Sequence, residues 1–148
     1  MNSKPPSGLI CGKYRLIDHT ADVGIEVFAG SLPELFENAA FSMFHLMAHL
    51  DSVSPAGEFS FSLEEEAIDD LLRSWLSELL YHFDVDKLIF SRFKVEELAG
   101  GKLKAKAFGE AYDVKRHELS LEIKAVTYHQ LKVEKLKGFW GARVIFDI

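Results

Sequence analysis

Near the start of the chain, between two alternating, strand-like segments, Asp18-His19-Thr20-Ala21-Asp22-Val23-Gly24 gathers two carboxylates, an imidazole and a hydroxyl within five residues. The opposite end, Phe146-Asp147-Ile148, sets another acidic side chain beside the terminal carboxylate. Carboxylates hold cations, and an imidazole beside a cation-bound water can serve phosphoester hydrolysis. The ends of small domains are commonly close in space, so the two clusters are expected to form one site if folding unites them.

Two further stretches carry chemistry-bearing side chains: Arg116-His117 within GEAYDVKRH, and Lys124 to His129, KAVTYH. Each has an ordinary structural reading. Asp18 or Asp22 can accept backbone N–H bonds in an Asx-turn, and Arg116 and His117 suit a turn. His129 lies on an apolar parity, which suits a neutral imidazole hydrogen-bonded in the core, unless a bulge between Ala125 and Gln130 re-aims it and Thr127 towards a site. Asp147 beside the terminal carboxylate brings two negative groups together, and either a cation or a basic side chain such as Lys124 or Arg116 must neutralise them.

Other candidates are weaker. His45 and His49 stand four apart, the spacing of a zinc protease helix, but no Glu follows His45. They share a helix face with Asn38 and Ser42, so they are expected to be solvated. Cys11 is the single cysteine, which excludes an intramolecular disulfide, and nothing in the sequence marks it as a reactive thiol. Glu64, Glu65 and Glu66 suit the positive end of a helix dipole rather than catalysis.

The elements that must position these residues follow from periodicity. Tyr14 to Ile17 and Val23 to Ala29 read as strands. Ser31 with Glu34 forms a capping box ahead of a helix to about His49, with Leu35, Ala39, Met43, Leu46 and Leu50 as its apolar stripe. Phe59, Phe61 and Leu63 alternate as a strand. A second capping box, Ser62 with Glu65, is expected to open a helix whose apolar face runs Ile68, Leu71, Leu72, Trp75, Leu76, Leu79, Leu80 and Phe83. A hairpin follows, turning at Ala99-Gly100-Gly101. One parity then extends from Leu119 through Ile123, Thr127 and His129 to Val133, as in one long strand, before a turn near Gly138. The final strand places Val144, Phe146 and Ile148 on one face and Asp147 on the other.

This order predicts an α+β fold: a single compact domain of mainly antiparallel β-sheet packed with two α-helices, over residues 13–148 behind a flexible leader at 1–12. A chain of 148 residues with 48% hydrophobic content and twelve phenylalanines can bury a core without staples. The leader lacks the apolar stretch of a secretory signal, and no run approaches the roughly 18 residues needed to span a bilayer. A cytoplasmic protein without membrane association is expected. The net charge of −6 opposes direct nucleic-acid binding by this chain. Phosphate loops and serine nucleophile elbows are absent from the sequence.

DHTADVG, GEAYDVKRH, KAVTYH and the terminal VIFDI, in this order and spacing, resemble the archease family from Tyr14 onwards, as does the helix SLPELFENAAFSMF. Two positions depart from the family's pattern: Ala111 and Val114 stand where proline is common. The resemblance implies a non-catalytic accessory protein that activates the RtcB-type tRNA-splicing RNA ligase, promoting its guanylylation and multiple turnover in tRNA splicing and RNA repair. It also implies a divalent metal held by Asp22, Asp147 and Ile148. An oxygen-only donor set suits calcium, the family's assignment, or magnesium or manganese. Asp18, His19, Arg116, His117, Lys124 and His129 are expected to shape the site or touch the partner. The competing readings are a metal-dependent phosphoester hydrolase and a general chaperone-like modulator of tRNA-processing enzymes.

Overall fold

The computed structural model describes residues 4–18 and 22–148, the side chain of Asp18 excepted. The elements are β1 (Tyr14–Asp18), β2 (Asp22–Ala29), α1 (Leu32–Met47), a 3-10 turn (Leu50–Ser52), β3 (Gly57–Glu64), α2 (Ile68–Asp86), β4 (Leu88–Ala99), β5 (Lys102–Ala111), β6 (Ala125–Val126), β7 (Lys132–Lys135) and β8 (Trp140–Asp147). The α+β class, the two helices and the antiparallel pairing agree with the sequence reading.

The strands form two sheets rather than one. The first runs β1-β2-β8-β6, with β7 also on β8; the second is β3-β5-β4. Every pairing is antiparallel. The helices lie between the sheets, α1 packing on β4 and on β2, and α2 touching β6 and β7 as well as β3 and β4. One apolar cluster fills the space, joining Ile25, Val27, Val144 and Phe146 of the first sheet to Phe90, Phe93, Ala105 and Ala107 of the second through Phe36, Phe44 and Trp75.

This layering explains why α1 is buried almost all round. Ser31 caps it as expected, its Oγ accepting from the Glu34 N–H at 3.4 Å. Yet Asn38 and Ser42 are buried with the apolar residues, because a helix between two sheets has no broad solvent face. Both are satisfied: Asn38 Nδ2 donates to Phe28 O at 2.9 Å and Ser42 Oγ to Asn38 O at 2.6 Å. His45, expected on a solvated face with them, is instead half-buried against Tyr14; His49, beyond the helix, is exposed.

Two other expectations are corrected. Residues Ser62 to Glu64 stay in β3, paired with β5, and α2 begins only at Ile68 behind Ala67, which makes no side-chain cap. Asp69 and Asp70 take the dipole-facing first turn. The single long strand after Leu119 does not form. Pairing with β8 is confined to β6 and β7, with a loop between them at whose end Gln130 adopts a left-handed φ of 52°. The expected parity is not kept either: Leu119 is exposed, Val126 of the opposite parity is buried, and the chain turns between Ala125 and Gln130, leaving His129 exposed rather than in the core.

Candidate functional site

Strand alternation sorts the first sheet into two faces. Val23, Ile25 and Val27 of β2 pair with Phe146, Val144 and Ala142 of β8 on the core side. The outer face therefore presents, in the same ladder, Glu26 opposite Arg143, Gly24 opposite Ile145, and Asp22 opposite Asp147. Asp22 opens β2 and Asp147 closes β8, so antiparallel pairing brings the two ends of the chain into register. Side chains directly opposite have Cβ atoms about 4.5–5.5 Å apart, and like charges so placed destabilise a sheet.

The outer face otherwise obeys charge complementarity. Glu26 receives Arg15 Nε at 3.0 Å and Arg143 at 3.5 Å. Next to the acidic pair, Gly24 gives Ile145 room: a Cβ there would stand 2.6 Å from Ile145 Cδ1 and 3.1 Å from Ile17 Cβ. The glycine of DHTADVG thus allows an apolar floor beside the carboxylates.

Asp147 is held in place from both sides of its strand. β6 pairs Ala125 with Asp147, and the Lys124 N–H donates to Asp147 O at 2.8 Å. One step back, Thr127 donates to Ile145 O twice, from its N–H at 3.0 Å and its Oγ at 2.9 Å, and its Oγ accepts the His129 N–H at 3.2 Å. Arg73 of α2 ties this loop down, donating to Val126 O at 2.9 Å and lying over the Tyr128 ring at 3.8 Å. Asp147 itself is exposed and Ile148 is 39% exposed. Among the described residues no Lys or Arg side chain forms an ion pair with Asp147: Lys124 reaches it only through the main chain, and Arg116 is engaged elsewhere.

Arg116 and His117 belong to a different cluster, centred on Glu110. That carboxylate accepts from the Ser54 N–H at 2.7 Å, from His117 Nε2 at 2.8 Å, and from Arg116. The Ser54 N–H, opposed by burial and aided by the His117 bond and the Arg116 charge, holds Glu110 below the usual carboxylate range. His117 is fully buried; its Nδ1 accepts the Asp113 N–H at 2.9 Å, so the proton sits on Nε2, and Tyr112 stacks on the ring. Asp113 also accepts the Lys115 N–H at 2.9 Å. The segment from Ala111, the last residue of β5, to Val114, where proline is common in the resembling family, is thus followed by a turn fastened by side chains. Asp18 is in β1, its backbone opposite Val23; His19 lies outside the described residues.

Sequence reasoning missed Glu110 and Gly24 as organisers, and left Thr127 open between the core and the site. Glu110 had a signal in its place beside Arg116 and His117, but its partner Ser54 is remote in the chain. The donor set that remains at the chain ends, two carboxylates and an exposed terminal residue, is hard and oxygen-only, and fits a cation such as calcium or magnesium rather than a soft metal.

The Archease protein family model matches residues 14–148. The chain belongs to the archease family. The protein archease of Methanosarcina mazei is 42% identical over 140 residues, covering 92% of this chain and 96% of that one. The protein archease of Pyrococcus furiosus is 40% identical over 135 residues, covering 88% and 95%. The solution structure of Methanobacterium thermoautotrophicum protein 1598 superposes with a TM-score of 0.78 at 34% identity, covering 93% of this chain and 99% of that one. A crystal structure of an archease from Thermotoga maritima, described as a possible chaperone, shares the fold with a TM-score of 0.65 at 24% identity, covering 89% and 94%. The archease motifs thus extend over all the elements that build the acidic pair. Among the described residues, no helix is long and apolar enough to cross a membrane.

Proposed function

We propose that this archease is an accessory protein that activates an RtcB-type tRNA-splicing RNA ligase, promoting its guanylylation and multiple turnover, and that it does so with a divalent cation at Asp22, Asp147 and Ile148. The observation that carries this reading is the register of β2 on β8, which sets Asp22 directly opposite Asp147 on the outer face. Two carboxylates in that relation repel, and a cation offsets the repulsion.

The residues divide the work simply. Asp22 and Asp147 would supply side-chain oxygens, and Ile148 a main-chain or terminal carboxylate oxygen. Lys124 and Thr127 hold the last strand through bonds to the carbonyls of Asp147 and Ile145, which keeps Asp147 in place without engaging its side-chain oxygens. A bound cation would neutralise the carboxylates and offer charge to phosphates in a docked partner. The net charge of −6 leaves RNA contact to that partner.

A ligation assay with the cognate ligase, GTP and excess RNA tests the proposal. The expected result is about one round of ligation without this protein and continued turnover with it, abolished by Asp22→Ala or Asp147→Ala in variants that keep native circular dichroism. Full stimulation by both variants would overturn the role given to the acidic pair. Turnover indifferent to the protein would overturn the activator reading itself.

A further inference from the structure

We propose that β3 is a docking edge for a second copy of this chain, and that two copies join there into one continuous sheet, residues 57–63 pairing antiparallel about a two-fold axis at Ser60. β3 is an edge strand of the β3-β5-β4 sheet. The Glu65 N–H, one step beyond it, donates to Gly101 O at 2.9 Å. Antiparallel bonding alternates, so Gly57, Phe59, Phe61 and Leu63 direct their main-chain groups to β5, and Glu58, Ser60, Ser62 and Glu64 turn theirs outwards. Among the described residues no hydrogen bond engages those outward groups.

The opposite edge of the same sheet is guarded. β4 breaks register twice, at Phe90/Arg92 and at Val95/Glu97, and the Val95 N–H is taken by Glu37 Oε2 of α1 at 2.8 Å. Bulges and inserted charges are what keep an edge from pairing with another chain. β3 has neither along its middle. It holds one unbroken register on β5, and its centre reads Phe59-Ser60-Phe61-Ser62-Leu63.

The register follows from the residues. The core and outer faces of the two copies stay matched only where residues of the same parity meet, which excludes pairing Gly57 with Glu64 end to end. Of the two longest registers that remain, one sets Glu58 against Glu64 of the second copy, and like charges directly opposite destabilise a sheet. The other centres on Ser60. It sets Glu58 against Ser62, Gly57 against Leu63 and Phe59 against Phe61, so an aromatic pair repeats on both sides of the axis on the core face. Glu58 keeps its own partner, Lys106 Nζ at 3.6 Å.

α2 extends the contact beyond the strand. His82 meets Phe61 edge-on with ring centroids 5.3 Å apart and meets Tyr81 at 5.6 Å, so this flank of the helix lies beside the open edge. Tyr81 and Val85, one turn apart, are 54% and 56% exposed. The flank's carboxylates are engaged, Glu78 and Asp86 holding His82 at 3.2 and 2.6 Å. Across the axis Tyr81 and Val85 meet their counterparts, adding apolar burial to the main-chain bonds. The acidic pair lies on the outer face of the other sheet, so the dimer leaves it open.

Sedimentation equilibrium of the full chain from about 10 μM to about 1 mM tests the proposal. The mass is expected to rise from 16.7 kDa towards twice that value. Ser60→Pro removes an N–H that faces outward, which an edge strand tolerates, and should hold the mass at that of one chain. Tyr81→Glu should weaken association about tenfold, with native circular dichroism in both variants. Register is read by air oxidation in a Cys11→Ser background: Ser60→Cys should form a disulfide-linked dimer, since residues facing each other at the axis have Cα atoms about 5.5 Å apart, and Ser62→Cys should not. A mass of one chain across the whole range overturns the proposal without reliance on any variant. Undiminished association in a natively folded Ser60→Pro overturns the role of β3, and equal cross-linking of Ser60→Cys and Ser62→Cys overturns the register.

Discussion

His117 Nε2 donates to Glu110 at 2.8 Å although the imidazole is fully buried and the carboxylate sits at the sheet's solvent side. The bond joins the end of β5 to the loop after it, and through Ser54 to the segment before β3. Glu110→Ala leaves a buried N–H without an acceptor and should cost about 1–3 kcal/mol, read from urea denaturation.

The same contact gives a pH dependence. Glu110 is held below its ordinary value of about 4.3, chiefly by the Ser54 N–H. A depressed carboxylate contributes stability that is fully present above the unfolded value and lost as pH falls through the folded one. Urea midpoints measured from about pH 6 down to about pH 3 should fall more steeply in the wild type than in Glu110→Gln. Parallel curves would refute the assignment.

Cation binding at the acidic pair should appear as thermal stabilisation. Calcium or magnesium at 100 times the dissociation constant adds about 2.7 kcal/mol to a folded state that alone binds it. Asp147→Asn should lose most of that increment while unfolding at much the same temperature in chelator. An equal shift in both proteins would place the cation elsewhere.

Thr127 offers a test of positioning apart from coordination. Thr127→Val keeps the branched shape but removes the Oγ bonds to Ile145 O and from the His129 N–H. It should cost about 1 kcal/mol of stability. Calorimetry should also show weaker cation affinity, since the end of β8 is then less firmly held.

Gly109 is the position at which the smallest side chain should do the most harm. A Cβ there would stand 1.9 Å from Ile89 O, a backbone atom that cannot swing aside. It faces the irregular stretch of β4 between Phe90 and Arg92. Gly109→Ala should cost about 3 kcal/mol or more, or prevent folding, as measured by chemical denaturation.

Local pattern carried much of this structure. The alternation of Val23, Ile25 and Val27 and of Val144 and Phe146 marked which residues face the core, and so placed Asp147 on the other face. Ser31 announced α1, and the Ala99-Gly100-Gly101 turn announced the β4–β5 hairpin. Such features depend on neighbours two to four positions away, which a chain displays directly. The second capping box failed because cross-strand pairing of Ser62, Leu63 and Glu64 with β5 outweighed a local helix signal.

By itself, then, the sequence determined the helices, the faces of the strands, the family and the two acidic ends. Only the tertiary structure decided that Asp22 meets Asp147, that Asn38, Ser42 and His45 turn inward, that Arg116 and His117 serve Glu110, and that β3 keeps an open edge. The physical reason is range. Parity and capping are written in adjacent residues, whereas register, layer order and the partners of buried polar groups depend on which distant surfaces exclude water together.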